Sequence, residues 1–521
     1  MLRTLAVATV LSFVSCSAPA PKCDSTSCGT GCCDSKGQCR APGPLECGAF
    51  GGACVACAAG ARCELGVCSS AGTGGGTGGG TGGGTGGGTG DAGLDGGATD
   101  GGRPDGGSDA GVSGFTLTAL DPAAVDATYF AMAIDGAQQR VGVAYFTNRG
   151  TQTMPGISDY DLKYVEWRQG VVSPLQTVRM VQVKVGLSLV FDRTTGEPIV
   201  SYLGGGADQS IFWFQSDAVI NRRSGGSTWT ETVVASRGNQ VTCGNAVSDR
   251  GLLVGLWPTL AYDSTGKLHL AYRDGHDGQF AMQDWAGSDV ELWEGTPPAL
   301  TTGTCLAQGG NNKDAWGGHN QLAACGADLA LVYDQMFGTA DTNGINVIFQ
   351  KRTGATWSPP GVLLTNSNTQ TGPSLACDPT EGFGVAAVDR ATNELSYFNS
   401  LNGSAWNAPD PVFGAGSGGW YPSLAMDPVN HEPAIAFYIC SPRSSVNETG
   451  CLTTEDRLVI SQRVVGTWRE TLVDPGGGYA PKLGFFPSGK RVVVYRTPPA
   501  NDPATGLTVA GVGALHLAIE R

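Results

Sequence analysis

The chain has 521 residues with 46 acidic and 32 basic side chains, and its formal net charge at pH 7 is −14. Such a surplus of negative charge repels phosphate backbones, so we expect no nucleic-acid binding. The composition is uneven, because 11 of the 17 cysteines lie before residue 69 and 23 of the 81 glycines lie in residues 69–114. Only the sequence after residue 114 has the composition of a globular domain with a sizeable core.

Residues 1–15 form a predicted signal peptide. Arg3 precedes an apolar run from Leu5 to Val14, which is too short to cross a bilayer as a helix of the mature protein. The run leads through Val14 and a serine into Cys16, and this ending resembles the lipobox of bacterial lipoproteins. The resemblance implies that Cys16 is lipidated and becomes the first residue of a lipoprotein of the outer membrane or cell surface. Cleavage after Ala20, which would give a secreted soluble protein, is the alternative.

Residues 16–68 are predicted to form a cysteine-rich module. Ten cysteines lie from Cys23 to Cys68. In an exported chain so dense and even a set predicts five disulfide bonds, because the segment is too short to be stable by burial alone. The loops Cys33–Cys39 and Cys63–Cys68 each contain a glycine, which indicates two related knots. A metal site at Cys54 and Cys57 is the alternative, although no histidine is near.

Residues 69–114 are predicted to be a flexible linker. Thr-Gly-Gly-Gly repeats from Thr73 onward, and an Asp- and Gly-rich stretch follows, with almost nothing apolar to bury. A phosphate-binding glycine loop would need a preceding strand, a following helix and usually a lysine before Ser or Thr, and this segment has none of these.

Residues 115–521 repeat one pattern seven times: a strand rich in Leu and Ala, a turn with Asp and Gly, and a strand that usually ends in an aromatic residue. A second hairpin follows, so the sequence predicts an all-β, seven-bladed β-propeller of four-stranded blades. The last copy has only one further strand, Leu515–Ile519, and we expect Phe115–Leu120 to complete its blade and close the ring. The copies begin at Met132, Leu189, Leu260, Leu322, Leu375, Leu424 and Leu483.

Four hairpin tails carry Gly-x-Thr-Trp or a looser form of it. Their tryptophans are Trp229, Trp357, Trp406 and Trp468. These tails resemble degenerate Asp-box (BNR) hairpins of sialidase-like propellers, and the resemblance covers roughly residues 115–521. It implies the fold and no activity, because Ser224, Arg352 and Leu401 stand where an Asp box carries its aspartate, and the arginine triad of sialidases cannot be mapped. We expect the tryptophans to pack between blades.

Aspartates recur in the tight turns between the first two strands of the repeat. Asp caps its own backbone and a nearby Gly accepts positive φ, so we expect a structural role for them. They are Asp135, Asp192, Asp263, Asp378 and Asp427.

The connections between blades and those between second and third strands share one face of a propeller, and here they are long. Binding sites commonly lie on loops held by a rigid scaffold, so we place the candidate site on this long-loop face, near the axis. Exposed tryptophans beside polar groups would suit stacking on a sugar ring and hydrogen bonds to its hydroxyls. The candidate binding residues are Trp257, Trp316, Trp420, Asp274, His276, Asp277, His319 and Asp334. Alternatively, the tryptophans only wedge neighbouring blades.

Two further interpretations of the same residues stay open. Asp274 or Asp277 could pair with Asp334 as the acid and base of a glycan hydrolase or lyase. His276, His319 and a carboxylate could instead hold a metal ion. The chain has no nucleophile elbow, zinc-protease motif or P-loop, and we expect no cofactor and no metal.

Six cysteines remain in the repeat region. Equivalent long loops hold two of them and one loop is flanked by two more, which predicts two disulfides. The predicted pairs are Cys243–Cys305 and Cys440–Cys451. Cys325 and Cys377 end neighbouring innermost strands, where they either bridge or stay thiols.

The sequence therefore predicts a lipid-tethered, monomeric binding or scaffold protein that is displayed on a membrane and recognises a glycan or another surface protein. A secreted glycan-active hydrolase or lyase with carboxylates near the axis is the alternative.

Overall fold

The structure is a computed structural model, and it divides into two units, residues 1–105 and residues 106–521. In the first unit it describes residues 32–34, 36, 38–40, 54–56, 61–64 and 67–70. In the second it describes residues 114–122, 129–152, 158–205, 217–236, 239, 241, 243, 253–275, 288–309, 314–337, 345–367, 372–389, 391–414, 419–439, 457–475, 477–497 and 513–521. Cys16 and residues 71–113 of the predicted linker lie outside these residues.

The first unit contains two short antiparallel hairpins. Their strands are Cys32–Cys33 with Cys39–Arg40, and Ala61–Glu64 with Val67–Ser70. Cys33 lies opposite Cys39 and Cys63 opposite Cys68, so the two predicted small loops are hairpins. A disulfide between Cys32 and Cys54 cross-links the two halves that the sequence suggests as two knots. It also occupies Cys54, which removes this residue from the alternative metal site.

The second unit is a seven-bladed β-propeller, and its described residues contain no helix. Each blade has four main antiparallel strands. The strands are, for blade 1, Phe130–Asp135, Arg140–Asn148, Tyr160–Arg168 and Gln176–Val181; blade 2, Ser188–Phe191, Pro198–Gly204, Asp217–Arg223 and Trp229–Ala235; blade 3, Leu253–Tyr262, Leu268–Gly275, Ser288–Thr296 and Ala299–Ala307; blade 4, Asp314–Cys325, Asp328–Phe337, Ile345–Thr353 and Gly361–Thr365; blade 5, Ser374–Asp378, Gly382–Asp389, Glu394–Ser400 and Asp410–Phe413; blade 6, Trp420–Met426, Pro433–Ile439, Arg457–Val464 and Thr467–Asp474; and blade 7, Tyr479–Phe485, Arg491–Arg496, Leu515–Glu520 and Phe115–Asp121. The short strands Val171–Val172 and Thr356–Trp357 extend the outer hairpins of blades 1 and 4.

The ring is closed, as the sequence predicts. The first strand of each blade contacts the first strand of the next, and that of blade 7 contacts that of blade 1. Phe115–Asp121 pairs antiparallel with Leu515–Glu520, with Thr118 opposite Leu517, and so covers the edge that blade 7 would otherwise expose. Second strands such as Pro198–Gly204 are buried along their whole length, because each blade is covered by a neighbour on both faces.

The tryptophans of the hairpin tails pack against the preceding blade. Trp229 of blade 2 lies edge-on to Tyr164 of blade 1, with ring centroids 5.3 Å apart. Trp468 of blade 6 meets Tyr397 of blade 5 in the same way at 5.5 Å. Edge-to-face pairs at these distances are favourable beyond the area they bury, so this repeated ring helps to join successive blades.

The turn aspartates hold the tight turns through their own side chains. Oδ1 of Asp263 accepts hydrogen bonds from the backbone N–H of Thr265 at 2.9 Å and of Lys267 at 3.1 Å. Oδ1 atoms accept from backbone N–H groups in the same manner at Asp192, Asp378 and Asp427. These contacts confirm the structural role expected for the turn aspartates.

A series of side-chain to backbone hydrogen bonds links the first strands. The residue before the recurrent leucine in one blade accepts the leucine N–H of the next blade, at 2.9 to 3.0 Å. The bonds run from Leu260 to Ser188, Leu322 to Thr259, Leu375 to Gln321, Leu424 to Ser374 and Leu483 to Ser423. They satisfy an N–H group on the axial edge of the first strand in blades 3 to 7, where no further strand can pair with it. The equivalent residues in blades 7 and 1 are Lys482 and Ala131.

Candidate functional site at the rim of blades 3 and 4

In six of the seven blades, one residue in or just before the first strand lies in the left-handed region of φ. This residue lies three positions before the recurrent leucine, on the side of the long loops, and we call it the rim position. The rim residues and their φ angles are Gly186 (72°), Trp257 (46°), His319 (49°), Gly372 (63°), Tyr421 (57°) and Ala480 (49°). Large side chains rarely adopt this conformation, and such strain concentrates at functional sites.

Two large rim side chains meet on adjacent blades. The rings of Trp257 and His319 have centroids 5.6 Å apart and are tilted by 51°. Glycine occupies the rim position on both sides of this pair. A Cβ at Gly186 would lie 2.5 Å from the Cα of Trp257, and one at Gly372 would lie 2.7 Å from the Cβ of His319. The two glycines therefore leave the space that the two rings need.

His319 is held by a buried carboxylate. Its Nδ1 lies 2.9 Å from Oδ2 of Asp334, which lies in the second strand of the same blade. The Asp334 side chain is fully buried, whereas 22% of the His319 side chain is exposed. Burial raises the pKa of Asp334, although the bond to His319 opposes this effect. The carboxylate orients the imidazole, and the Nε2 of His319 remains the nitrogen that can contact a ligand.

An arginine that the sequence analysis does not select completes this row of side chains. Arg273, in the second strand of blade 3, is buried, and its guanidinium carbon lies 5.3 Å from the centroid of the Trp257 ring. Burial lowers the pKa of Arg273 to about 10. The signal was present in the repeat, because Arg273 follows the tyrosine of its copy just as Asp334 follows the tyrosine of the next copy. Arg273, Trp257, His319 and Asp334 thus form a continuous row, which we call the rim cluster.

The tryptophans are more buried than predicted from the sequence. Only 9% of Trp257 and 2% of Trp420 is exposed, so the expectation of open rings for stacking is wrong for both. Trp420 packs in a core of blades 5 and 6 with Tyr438, away from the rim cluster. Trp316 is partly buried against Tyr333, with ring centroids 6.1 Å apart. These contacts agree with the alternative, in which the tryptophans wedge blades.

Asp274 lies in a different environment from Asp334. It is fully buried opposite Asp289 on the adjacent strand of blade 3, together with Glu291. Burial raises the pKa of Glu291 to about 8, and Tyr272 donates a hydrogen bond to that carboxyl group. Asp274 and Asp334 are both 0% exposed, so neither presents a carboxylate to a substrate in this structure.

The remaining candidates lie outside the described residues. These are His276 and Asp277, and also the predicted pair Cys440 and Cys451. Within the residues that the structure describes, no group of three or more His, Cys, Asp or Glu side chains is arranged to hold a metal ion.

Two disulfides reinforce the propeller. Cys243 is joined to Cys305 of the fourth strand of blade 3, which is the pairing expected from their equivalent loops. Cys325 is joined to Cys377, so the first strands of blades 4 and 5 are bridged rather than ending in thiols. Such bonds are typical of proteins exported to oxidising compartments. In the described part of the chain, no helix is long and apolar enough to span a bilayer.

No family model matches the sequence, and no curated protein matches it. Similar solved structures are β-propellers of several kinds. A sialidase of Streptococcus pneumoniae is 10% identical, with 78% of this chain and 70% of that one covered and a TM-score of 0.39. A lectin of Burkholderia pseudomallei is 12% identical, with 76% and 96% covered and a TM-score of 0.47. An ulvan lyase is 12% identical, with 76% and 88% covered and a TM-score of 0.35. The similarity concerns the fold alone.

Proposed function

We propose that the propeller is a glycan-binding domain that contacts its ligand at the rim cluster of blades 3 and 4. The observation that carries this proposal is His319, a partly exposed polar side chain that Asp334 holds in place at the rim at 2.9 Å. An oriented imidazole can donate or accept one hydrogen bond with a hydroxyl group. Rigid support from Trp257 and the neighbouring glycines keeps it in place before the ligand arrives.

Binding is favoured over hydrolysis by the burial of the carboxylates. A two-carboxylate glycosidase needs both groups within reach of the glycosidic bond. Asp274 and Asp334 are fully enclosed, and Asp334 already uses one oxygen to hold His319. A pocket with a few fixed polar groups and an apolar surround is the usual composition of a binding site.

A glycan array probed with the full chain, followed by affinity measurement on the best ligand, tests the proposal. We expect His319→Gln to weaken that affinity at least about tenfold, the usual cost of losing one well-placed polar contact. His431→Gln is the matched control, because His431 also places Nδ1 2.9 Å from an aspartate, Asp378, but at the tight turns. Equal affinity of wild type and His319→Gln would refute the site.

We further propose that the propeller is displayed on a membrane by a lipid on Cys16. The predicted module of residues 16–68 and the linker of residues 69–114 would then separate residues 115–521 from the bilayer. The lipobox-like ending at Cys16 and the glycine-rich composition of the linker support this arrangement. Radiolabelled palmitate should be incorporated by the wild type in a bacterial host and not by a Cys16→Ser variant. Equal labelling of both would exclude Cys16 as the anchor.

A further inference from the structure

The series of hydrogen bonds along the axial edges is interrupted in one sector of the ring, which consists of the first strands of blades 7, 1 and 2. In blades 2 to 6 the residue before the recurrent leucine is a neutral acceptor, whereas in blade 7 it is Lys482 and in blade 1 it is Ala131. The strand registers are equivalent, since Lys482 lies opposite Val494 just as Thr259 lies opposite Ala271. A lysine ammonium has only donors, so Lys482 cannot play the part of the serine or threonine it replaces.

Two backbone N–H groups on the axial edge of this sector therefore lack the side-chain acceptor that the other blades provide. Met132 and Leu189 occupy the leucine position of blades 1 and 2. By equivalence with Leu260, whose N–H bonds to Ser188 of the preceding blade, their N–H groups point to the axis and away from their own second strands. Among the described residues, no side chain accepts a hydrogen bond from either N–H group.

Lys482 brings a positive charge to this sector. It is the only Lys or Arg in the described first strands, and its side chain is partly buried. No carboxylate of the described residues forms an ion pair with it. The first strand of blade 7 contacts blades 6 and 1 and pairs with its own second strand, so its remaining edge faces the axis of the ring.

The neighbouring position on the same face of the first strands is apolar. The residue after the recurrent leucine is small or apolar in every blade. These residues are Ala133, Val190, Ala261, Ala323, Ala376, Ala425 and Gly484. A charge pair interacts more strongly beside apolar side chains than in bulk water, because the effective dielectric constant is lower.

We propose that Lys482, together with the N–H groups of Met132 and Leu189, forms an oxyanion-binding site in the axial channel that takes a carboxylate or sulfate group. The sector offers two N–H donors and one positive charge, which together complement such a group. Burial also lowers the pKa of Lys482, and a bound anion would reverse this effect. The site lies on blades 7, 1 and 2 and does not depend on the proposed glycan contact at His319.

Calorimetric unfolding of the full chain tests this site. The unfolding midpoint is followed against sodium sulfate and, separately, sodium acetate, with ionic strength held constant by sodium chloride. For the wild type we expect a saturable rise with at least one of the two anions, because a ligand that binds only the folded state stabilises it. A response to acetate alone identifies a carboxylate site, and one to sulfate alone a sulfate site.

Substitutions at Lys482 decide whether that response belongs to the proposed site. Lys482→Ser should weaken the apparent affinity at least about tenfold. Its hydroxyl can accept from Met132, as Ser423 accepts from Leu483, so the unliganded variant should remain folded. Lys482→Gln offers the acceptor found at Gln321 and serves as a second such variant. Lys482→Arg should retain the response.

Lys351→Met is the control for loss of a partly buried lysine, because Lys351 already pairs with Asp328 at 2.7 Å. This variant should keep the wild-type affinity. The proposal is overturned if the wild type shows no saturable response to either anion, or if Lys482→Ser and Lys482→Gln respond with unchanged affinity.

Discussion

The tight-turn end and the long-loop end of the propeller each hold a histidine–aspartate pair with the same 2.9 Å contact, yet the two pairs differ in electrostatics. At the tight turns 45% of the His431 side chain is exposed. The bond and charge of Asp378 raise the pKa of His431, and the pKa of Asp378 is lowered although the residue is buried. At the long loops, full burial instead raises the pKa of Asp334.

This difference shows that the two ends have different physical roles. Carboxylates at the tight turns are surrounded by backbone N–H groups and cations that favour their ionised form, so they stabilise the fold. Carboxylates at the long-loop end, such as Asp334 and Glu291, are held where ionisation is unfavourable. Rim residues there also have strained φ angles. Unfavourable features of this kind persist where function requires them.

The largest effect is expected from removal of a carboxylate at the tight turns. Asp263 is buried and, besides its own turn, bonds His269 at 2.9 Å and Arg352 at 3.3 Å. Burial alone would raise the pKa of Asp263, but the hydrogen bonds from Thr265 and His269 outweigh this effect and lower the pKa below its usual value. Asp263→Ala should reduce the free energy of unfolding by about 3 kcal/mol, because it leaves buried partners unpaired.

Urea unfolding followed by tryptophan fluorescence measures this change. Asp263→Asn, which keeps an acceptor for the turn, is the matched control and should lose less. A loss below about 1 kcal/mol for Asp263→Ala, within the range of an exposed ion pair, would remove the distinction between the two ends.

A pH-dependent effect is expected at the long-loop end. The folded-state pKa of Glu291 is raised from 4.5 to about 8, so the folded chain retains a proton that the unfolded chain releases. The stability that this proton provides is complete below about pH 4.5 and is lost as the pH rises through 8. Glu291→Gln should therefore unfold with a free energy that falls less between pH 5 and pH 9 than that of the wild type.

Unfolding by urea at both pH values gives the comparison, with Glu231→Gln as a control at a partly buried glutamate that also accepts from a tyrosine, Tyr202. If Glu291→Gln and the wild type lose the same free energy over this range, the burial of Glu291 does not govern the pH dependence.

The architecture could be read from the sequence because it depends on local patterns. The recurrent leucine or methionine, the turn aspartates and the Gly-x-Thr-Trp tails follow from strand and turn chemistry, and the seven copies of the repeat correspond to seven blades. The closing strand followed from counting, since the last copy lacked one strand and Phe115–Asp121 was left over.

The rim cluster could be predicted only in part, because its properties depend on contacts between blades. Trp257, His319 and Asp334 were selected from their places in the repeat, but the burial of Trp257 depends on its neighbours in blade 2. The place of Arg273 after the tyrosine of its copy is visible in the repeat, but its burial against Trp257 is not, because that contact depends on the folded arrangement of the strands. The left-handed φ of His319 and the space left by Gly372 likewise involve a glycine one blade away.

The pairing of Phe115–Asp121 with Leu515–Glu520 also determines the order in which the propeller can fold. The first strand of the propeller to be synthesised cannot pair until the last strand, about 400 residues later, has also been synthesised. Contacts so distant in sequence slow folding, and until they form the incomplete blade exposes a strand edge that can aggregate. A chain that crosses a membrane unfolded avoids part of this hazard, because the ring needs to close only after both ends have arrived on the far side.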